Sequence, residues 1–472
     1  MNESVSAARA VLTRLGTFLD RFAGCFGRRA QREGASRYIQ GLLNDSERKS
    51  MQPMDARLPA HDPASYQRLQ HFITHSPWST TKVWTRLRAE LPVRKGLLLV
   101  DETSFPKHGD HSVAVARQYC GALGKIANCQ VAVSTALLAA QQAWPTTMEL
   151  YLPEDWAEDA DRRARADIPR TLPFRPKWRI ALTHIRQVRA AGLQIDGVLA
   201  DPAYGNVTAF RTALDRMGLR YAVGVALRLT VQVTGARRRH TIGHVIRRLP
   251  PAAWRRITWA RGTKGPLAAR FAAVRGRPTP RGPECWLLAE RPLTRRGARK
   301  AYLLNLPASA SLLELVRLAR GRWPIEQHYR ELKDELGLDH FEGRSYNGWN
   351  HHAVIAALTC TFLQLERRRG TTPLPTFPEA RNWVREIVAT LYFVETPKLM
   401  KLALSFLRDP PAILRPRRAA TRRARPVRRA VVERRTPTAL TSFVRSRPQL
   451  AHHTAAVSWS ARHVTTLPSQ IC

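Results

Sequence analysis

Two short apolar runs constrain the fold more than any other feature. Residues 96–100 read Gly-Leu-Leu-Leu-Val and stop at Asp101. Residues 195–200 read Ile-Asp-Gly-Val-Leu-Ala and stop at Asp201. Runs of this length, bounded by turn signals, are expected to be buried strands. Residues 111–119 alternate apolar and polar, and residues 129–140 are richer in apolar positions. Gly121 and Gly124 between them predict a hairpin turn. Helical periodicity follows from Trp178 to Ala191, stopping at Gly192, and again from Val207 to Met217. Another strand is expected over 221–227. The order is strand, strand, strand, helix, strand, helix, strand, which is a mixed α/β layout whose first three strands are antiparallel.

The flanks have a different texture. Residues 1–92 read as helices, with Val11, Leu12, Leu15, Phe18 and Phe22 at helical spacing, and with Ser79 placed to cap a later helix. Such a segment suits a small DNA-binding domain or a packing bundle. Residues 154–176 carry many charges and prolines and read as a surface excursion. Residues 228–305 form a separate block of short strand-like pieces. From 306 to about 408 the chain is helical again, with Pro324 placed to open a helix. Residues 409–472 form a basic tail, expected to be disordered; 415–429 hold eight Arg and no acid.

Charge narrows the function. The chain has 77 Lys plus Arg against 36 Asp plus Glu, a formal net charge of +41. An excess of this size calls for a polyanion: nucleic acid, or less often an anionic membrane surface. With 44% hydrophobic residues the chain is not a disordered one. The longest apolar runs are too short to span a bilayer, and the N-terminus carries no secretory signal. Six scattered Cys fit a reduced cytosolic chain. His108, His111, Cys120 and Cys129 cluster in sequence, but their spacing matches no common zinc module. A soluble cytoplasmic protein with no membrane partner is expected.

The basic residues are not spread evenly. From Arg216 to Pro283 there are 16 Lys or Arg and no acid. Trp254 and Trp259 are interleaved there with Arg255, Arg256 and Lys264. Cations for phosphates and aromatic planes for stacking make a nucleic-acid surface; each tryptophan taken singly also suits a small core.

Acids are rare, so their placement is informative. Asp101 and Asp201 each follow an apolar strand, where functional side chains of α/β sheets collect. An ionised Asp there is costly unless paired or metal-bound. Two on adjacent strands would form a hard-oxygen site for Mg²⁺ or Mn²⁺; each alone is equally a helix N-cap or Asx turn. A third carboxylate would complete a two-metal phosphodiester site. Candidates are Glu326, Glu331, Asp334 and Glu335. Glu326 shares a helical face with Arg322, Arg330 and Lys333, an arrangement that also describes a surface ion-pair ladder.

Several longer stretches carry a family likeness. They are VDETSFPKHGDHSVAVARQYCGALGKIANCQVAVS, ELYLPEDW, LADPAYG, WARGTKGPLAARFAAVR and RWPIEQHYRELKDELGLDHFEGRSYNGWNHH, with RYIQGLLNDSERKS nearer the N-terminus. On these the chain resembles the DDE transposases of bacterial insertion sequences, in the branch with a β-rich insertion between the second Asp and the Glu. The resemblance implies an RNase H-like mixed sheet flanked by helices, with a helical N-terminal domain over 1–92, a catalytic core over 93–227 and 306–408, and the insertion over 228–305. It implies Asp101, Asp201 and Glu326 as the metal-binding catalytic triad, holding two Mg²⁺ ions. That branch carries a Tyr–Arg–Glu–Lys signature; Arg322, Glu326 and Lys333 match its spacing, while Ala319 stands where the Tyr would be. Relatives trap a flipped base with aromatics of the insertion, and Trp254 or Trp259 is the counterpart here.

The expected activity is cut-and-paste transposition. The N-terminal helices and the insertion would bind terminal inverted repeats of double-stranded DNA. Water would cut at the transposon end, and the freed 3′-hydroxyl would attack target DNA. Arg322, Arg330 and Lys333 would hold phosphates, as would Lys107 and Arg117. A homodimer in a synaptic complex, associated with the bacterial nucleoid, is expected. The alternatives are a non-catalytic repressor derived from a transposase, and an RNase H-like nuclease without strand transfer.

Overall fold

A computed structural model describes residues 2–395, apart from short breaks at 45, 47, 57, 59–63, 263–264, 295–298 and 370–373. The basic tail over 409–472 lies outside the described residues. Five helices come first: α1 (Asn2–Asp20), α2 (Arg29–Leu43), α3 (Met51–Asp55), α4 (Ser65–Thr74) and α5 (Thr80–Glu90). The Ser79 hydroxyl accepts from the Lys82 amide and so caps α5, as its sequence predicts.

A run of four strands follows: β1 (Lys95–Pro106), β2 (Ala116–Cys120), β3 (Lys125–Ala139) and β4 (Gln142–Leu150). β2 turns into β3 at Gly124, whose φ of +63° explains why glycine stands there. Two features differ from the sequence reading. Residues 111–115 are not strand, so β2 is shorter than the alternation predicts. β4 was not expected at all. It carries Pro145, opposite a shift of register in β3, and pairs with β3 alone, so it is an edge strand on which a proline is tolerated.

The segment 154–176 is also more ordered than its charge implies. It forms α6 (Glu154–Glu158) and α7 (Ala160–Arg165). Trp156 is buried and its Nε1 donates to the Val115 carbonyl at 2.7 Å, which pins the excursion to the sheet. Next come α8 (Lys177–Ala190), β5 (Gln194–Ala200), α9 (Pro202–Gly205), α10 (Thr208–Arg216) and β6 (Tyr221–Val225).

The basic block contributes β7 (Thr230–Val233), β8 (His240–Thr241), α11 (Ile242–Arg248), β9 (Arg255–Gly262), β10 (Gly265–Arg277), β11 (Cys285–Arg291) and β12 (Lys300–Leu304). These strands extend the same sheet. The order is β2-β3-β1-β5-β6-β12-β11-β10-β7-β8, with β4 on β3 and β9 on β10. β12 pairs antiparallel with β6, so the block grows from the central sheet. The central strands β1, β5 and β6 are parallel, and β1 is antiparallel to β3. This is the mixed α/β, RNase H-like arrangement expected.

The chain then forms α12 (Leu312–Arg320), α13 (Pro324–Arg330), a π turn over Glu331–Glu335, α14 (Tyr346–Arg367) and α15 (Phe377–Glu395). α14 is buried along nearly its whole length, polar side chains such as His351, His352 and Gln364 included. The N-terminal helices pack on it. Phe18 meets Phe362, Trp78 stacks on His351 with centroids 3.7 Å apart, and the Tyr38 hydroxyl bonds His352 Nδ1 at 2.9 Å. The N-terminal helices and the sheet therefore share one apolar core. Among the described residues no helix is long and apolar enough to cross a membrane.

Candidate active site

The central strands bring the two aspartates together. β1 and β5 pair in parallel up to Val100 opposite Ala200. Asp101 and Asp201 are the next residues on neighbouring strands. Asp201 leaves the sheet there and becomes the N-cap of α9, its Oδ1 accepting the Ala203 amide at 2.9 Å. Asp101 does not end its strand: β1 continues to Pro106 against β3, and Asp101 lies opposite Ser134. β5 stops sooner, which opens a notch beside Asp101. Gly205 closes the DPAYG turn against β6, where a Cβ would collide with the Gly224 carbonyl oxygen. Its missing side chain is what lets the Asp201 turn lie flat on the sheet.

Glu326 reaches the same notch from the first turn of α13, opened by Pro324 at the first helical position. The helix is held over the strands by two polar ties. The Tyr329 hydroxyl bonds Ser134 Oγ at 2.7 Å, and Lys333 Nζ donates to the Ser104 carbonyl at 2.8 Å. A cleft of about 440 Å³ is lined by Asp101, Asp201, Arg322, Glu326, Tyr329 and Lys333 among others. A second, of about 480 Å³, shares Asp201, Arg322 and Glu326 and is walled by Tyr302 and Trp323.

Arg322 is the hub of this charge pattern. Its Nη1 lies 2.5 Å from Asp101 Oδ2, and its Nη2 lies 3.3 Å from Glu326 Oε1. Asp101 is only 8% exposed. Burial pushes its carboxyl up to about 7; Arg322 pulls the other way, and the neighbouring Asp201 adds to the rise. A carboxyl so displaced, beside a second one, is short of positive charge even with an arginine in contact. Burial also raises the Tyr329 hydroxyl well above its ordinary range, so it serves as a neutral hydrogen-bonding group.

The donors are hard carboxylate oxygens, the chemistry that suits Mg²⁺ or Mn²⁺. Among the described residues, no three His, Cys, Asp or Glu are close enough together to hold a metal ion as they stand. Arg322 occupies the space between Asp101 and Glu326, and Glu326 keeps a side chain that is 53% exposed. The oxygen donors are of the type a divalent cation takes, and the Arg322 guanidinium stands between two of them.

The other sequence candidates divide. Arg330 is exposed and lines the cleft beside Glu326. Arg117 is exposed on β2, and Arg255 and Arg256 are exposed on β9. Lys107 donates to the Phe341 carbonyl at 2.8 Å, and Lys333 is held by Ser104 as above, so both ammonium groups already serve the fold. Trp254 lies under the Arg291 guanidinium at 3.9 Å, and Trp259 packs on Phe271 and under Arg320 at 4.5 Å. Neither lines the two clefts. Lys264 lies outside the described residues. Cys120 and Cys129 share a small buried cluster with Val131, while His108 and His111 are exposed, so these four do not converge.

Sequence reasoning overlooked Trp323. It follows Arg322 directly, is 57% exposed and walls the second cleft. Its exposure is set by the packing of the molecule, so no local signal in the sequence marks it. Ala319 lines the same cleft.

Comparison with known proteins gives the family. The family described as DDE superfamily endonuclease matches residues 21–277. The matched span includes Asp101 and Asp201 and ends before Glu326. A probable transposase for insertion sequence element IS701, from Microchaete diplosiphon, is 34% identical over 197 residues. That alignment covers 40% of this chain and 48% of the relative, so the chain spans about half the length of the curated relative it matches.

Proposed function

Because the chain belongs to the DDE superfamily endonucleases, we propose that it is the transposase of an insertion element, cutting the element's ends and joining them to target DNA. The observation that carries this is that Asp101, Asp201 and Glu326 line one cleft. In this reading the three carboxylates hold divalent cations, two Mg²⁺ ions being the expected set. When bound, such ions activate a water or 3′-hydroxyl and stabilise the leaving oxygen of a phosphodiester.

The chain's own residues position the substrate. Arg322 balances Asp101 and Glu326 before substrate arrives, then turns its planar fork toward a phosphate, for which its donor geometry is suited. Arg330 extends that grip along the rim. Lys333 and Lys107 tie α13 and the loop after it to the strands, and each ammonium keeps donors for a phosphate. The exposed arginines of β9 and the N-terminal helices supply a phosphate-binding surface for the inverted repeats. Trp323 offers an aromatic plane beside the cleft, a better-placed stacking surface than Trp254 or Trp259. Two copies of the chain would hold two DNA ends in a synaptic complex, in the bacterial cytoplasm at the nucleoid.

The test uses the purified full chain, a labelled duplex carrying the element's end, a target plasmid and Mg²⁺. The expected result is cleavage at the element boundary and joining to the plasmid, both abolished by EDTA. Cleavage without joining would replace the reading with a plain nuclease. Tight, specific binding without cleavage would replace it with a repressor.

A further inference from the structure

The turn between β2 and β3 exposes an apolar tip that neither the fold nor the carboxylate chemistry uses. Tyr119 and Ile126 face each other across the ladder and are 60% and 62% exposed; Leu123, in the turn, is 49% exposed. Among the described residues nine large hydrophobic side chains are exposed, and three of them fall within these eight positions. A concentration of that kind marks an interaction surface.

Its location says what it meets. Tyr119, Gly121 and Ala122 line the same cleft as Asp101, Asp201 and Glu326. The tip is tied to the catalytic strand: the Ala122 amide donates to Ser104 Oγ at 3.0 Å, and the Cys120 thiol lies 3.4 Å from the same oxygen. Ser104 is three residues beyond Asp101 on β1, so the tip is held at a set place relative to the carboxylates. The charge on the hairpin itself has one sign. Arg117 and Lys125 are exposed on the two strands, and no acid occurs from His111 to Met148. The second cleft, bordered by Trp323, lies on the other side of the shared carboxylates.

We propose that the β2–β3 tip is a DNA wedge: Tyr119, Leu123 and Ile126 press into a base step next to the phosphate held at Asp101 and Asp201, while Arg117 and Lys125 grip the flanking backbone. Apolar wedges of this kind unstack a step and bend the duplex, and bending is what lets a scissile phosphate reach the floor of a cleft. The occupant is a duplex rather than a protein because the apolar tip is continuous with the cutting cleft and the charges on its own hairpin are all positive. The inference rests on the reading that this cleft cuts DNA.

The experiment uses the full chain and an element-end duplex with 2-aminopurine at the step flanking the cleavage point. Without metal, binding is expected to raise the probe's fluorescence at least about twofold as the step unstacks. The Leu123→Ser/Ile126→Ser variant replaces exposed side chains, so its melting temperature should not move. It is expected to lose most of the fluorescence rise and to cleave roughly tenfold more slowly in Mg²⁺, with binding within about threefold. A duplex mismatched at that step should restore its cleavage rate. The proposal is overturned if the variant keeps the fluorescence rise, or if the mismatch gives no rescue. It is also overturned if light scattering shows the variant has only lost dimerisation, which would make a second copy the occupant. A fluorescence rise with no cleavage by the unmodified chain supports the wedge and removes the catalytic reading instead.

Discussion

Asp201→Asn is expected to slow cleavage of an element-end duplex by at least about 10³-fold, near 4 kcal/mol of barrier, with binding held within about threefold. The substitution separates charge from structure. Asp201 accepts the Ala203 amide at 2.9 Å and caps α9. Asn caps a helix as well as Asp does, so the turn, the Gly205 contact with β6 and the fold should all survive. What is lost is the negative charge next to Asp101. Glu326→Gln should behave alike, since that side chain is half exposed and its pairing with Arg322 is a surface one. Cleavage that stays within tenfold of the unmodified protein would show that the aspartate is only a cap.

The second large effect links pH, metal and stability through Asp101. Burial raises its carboxyl from 3.8 to about 7 in the folded protein. The folded state therefore holds a proton that the unfolded chain has released across this window. The contribution of this carboxyl to stability is expected to fall as pH rises from about 4 to about 7, then level off, by on the order of 4 kcal/mol. A divalent cation reverses the preference, because it binds only the ionised form. Mg²⁺ is therefore expected to raise the melting temperature by several degrees at pH 8 and hardly at all at pH 5. Asp101→Asn should flatten both dependences. An equal Mg²⁺ shift at the two pH values, or one that persists in Asp101→Asn, would place the ion elsewhere.

The parts of this site that could be read from the sequence are those with local signatures. Asp101 and Asp201 show because an apolar run of sequence stops at each, and Glu326 because Pro324 announces its helix. The strand β4 was hidden by Pro145, which is disfavoured inside a sheet and tolerated on an edge. The fusion of the basic block with the central sheet was hidden for another reason. β6 and β12 pair across some 75 residues of intervening chain, and non-local pairing leaves no trace in either strand. Charge alone was an incomplete guide. Lys107 and Lys333 read as phosphate contacts, and each also gives an N–H to a carbonyl of the fold, a tie that no local pattern announces. Trp156, in a segment that reads as surface, is a core residue because its indole has the Val115 carbonyl to bond. Trp323 and the β2–β3 tip escaped because exposure is a property of the packed molecule, not of the side chain.

Arg322 sets the sharpest test of the central claim. It now supplies the positive charge between Asp101 and Glu326 that a metal ion would supply. Crystals of the full chain with an element-end duplex, soaked in Mn²⁺, would be measured at the manganese edge. The account predicts anomalous peaks within coordination distance of Asp101, Asp201 and Glu326, with the Arg322 guanidinium withdrawn toward a DNA phosphate. Anomalous peaks elsewhere, with Arg322 still bridging Asp101 and Glu326, would contradict it.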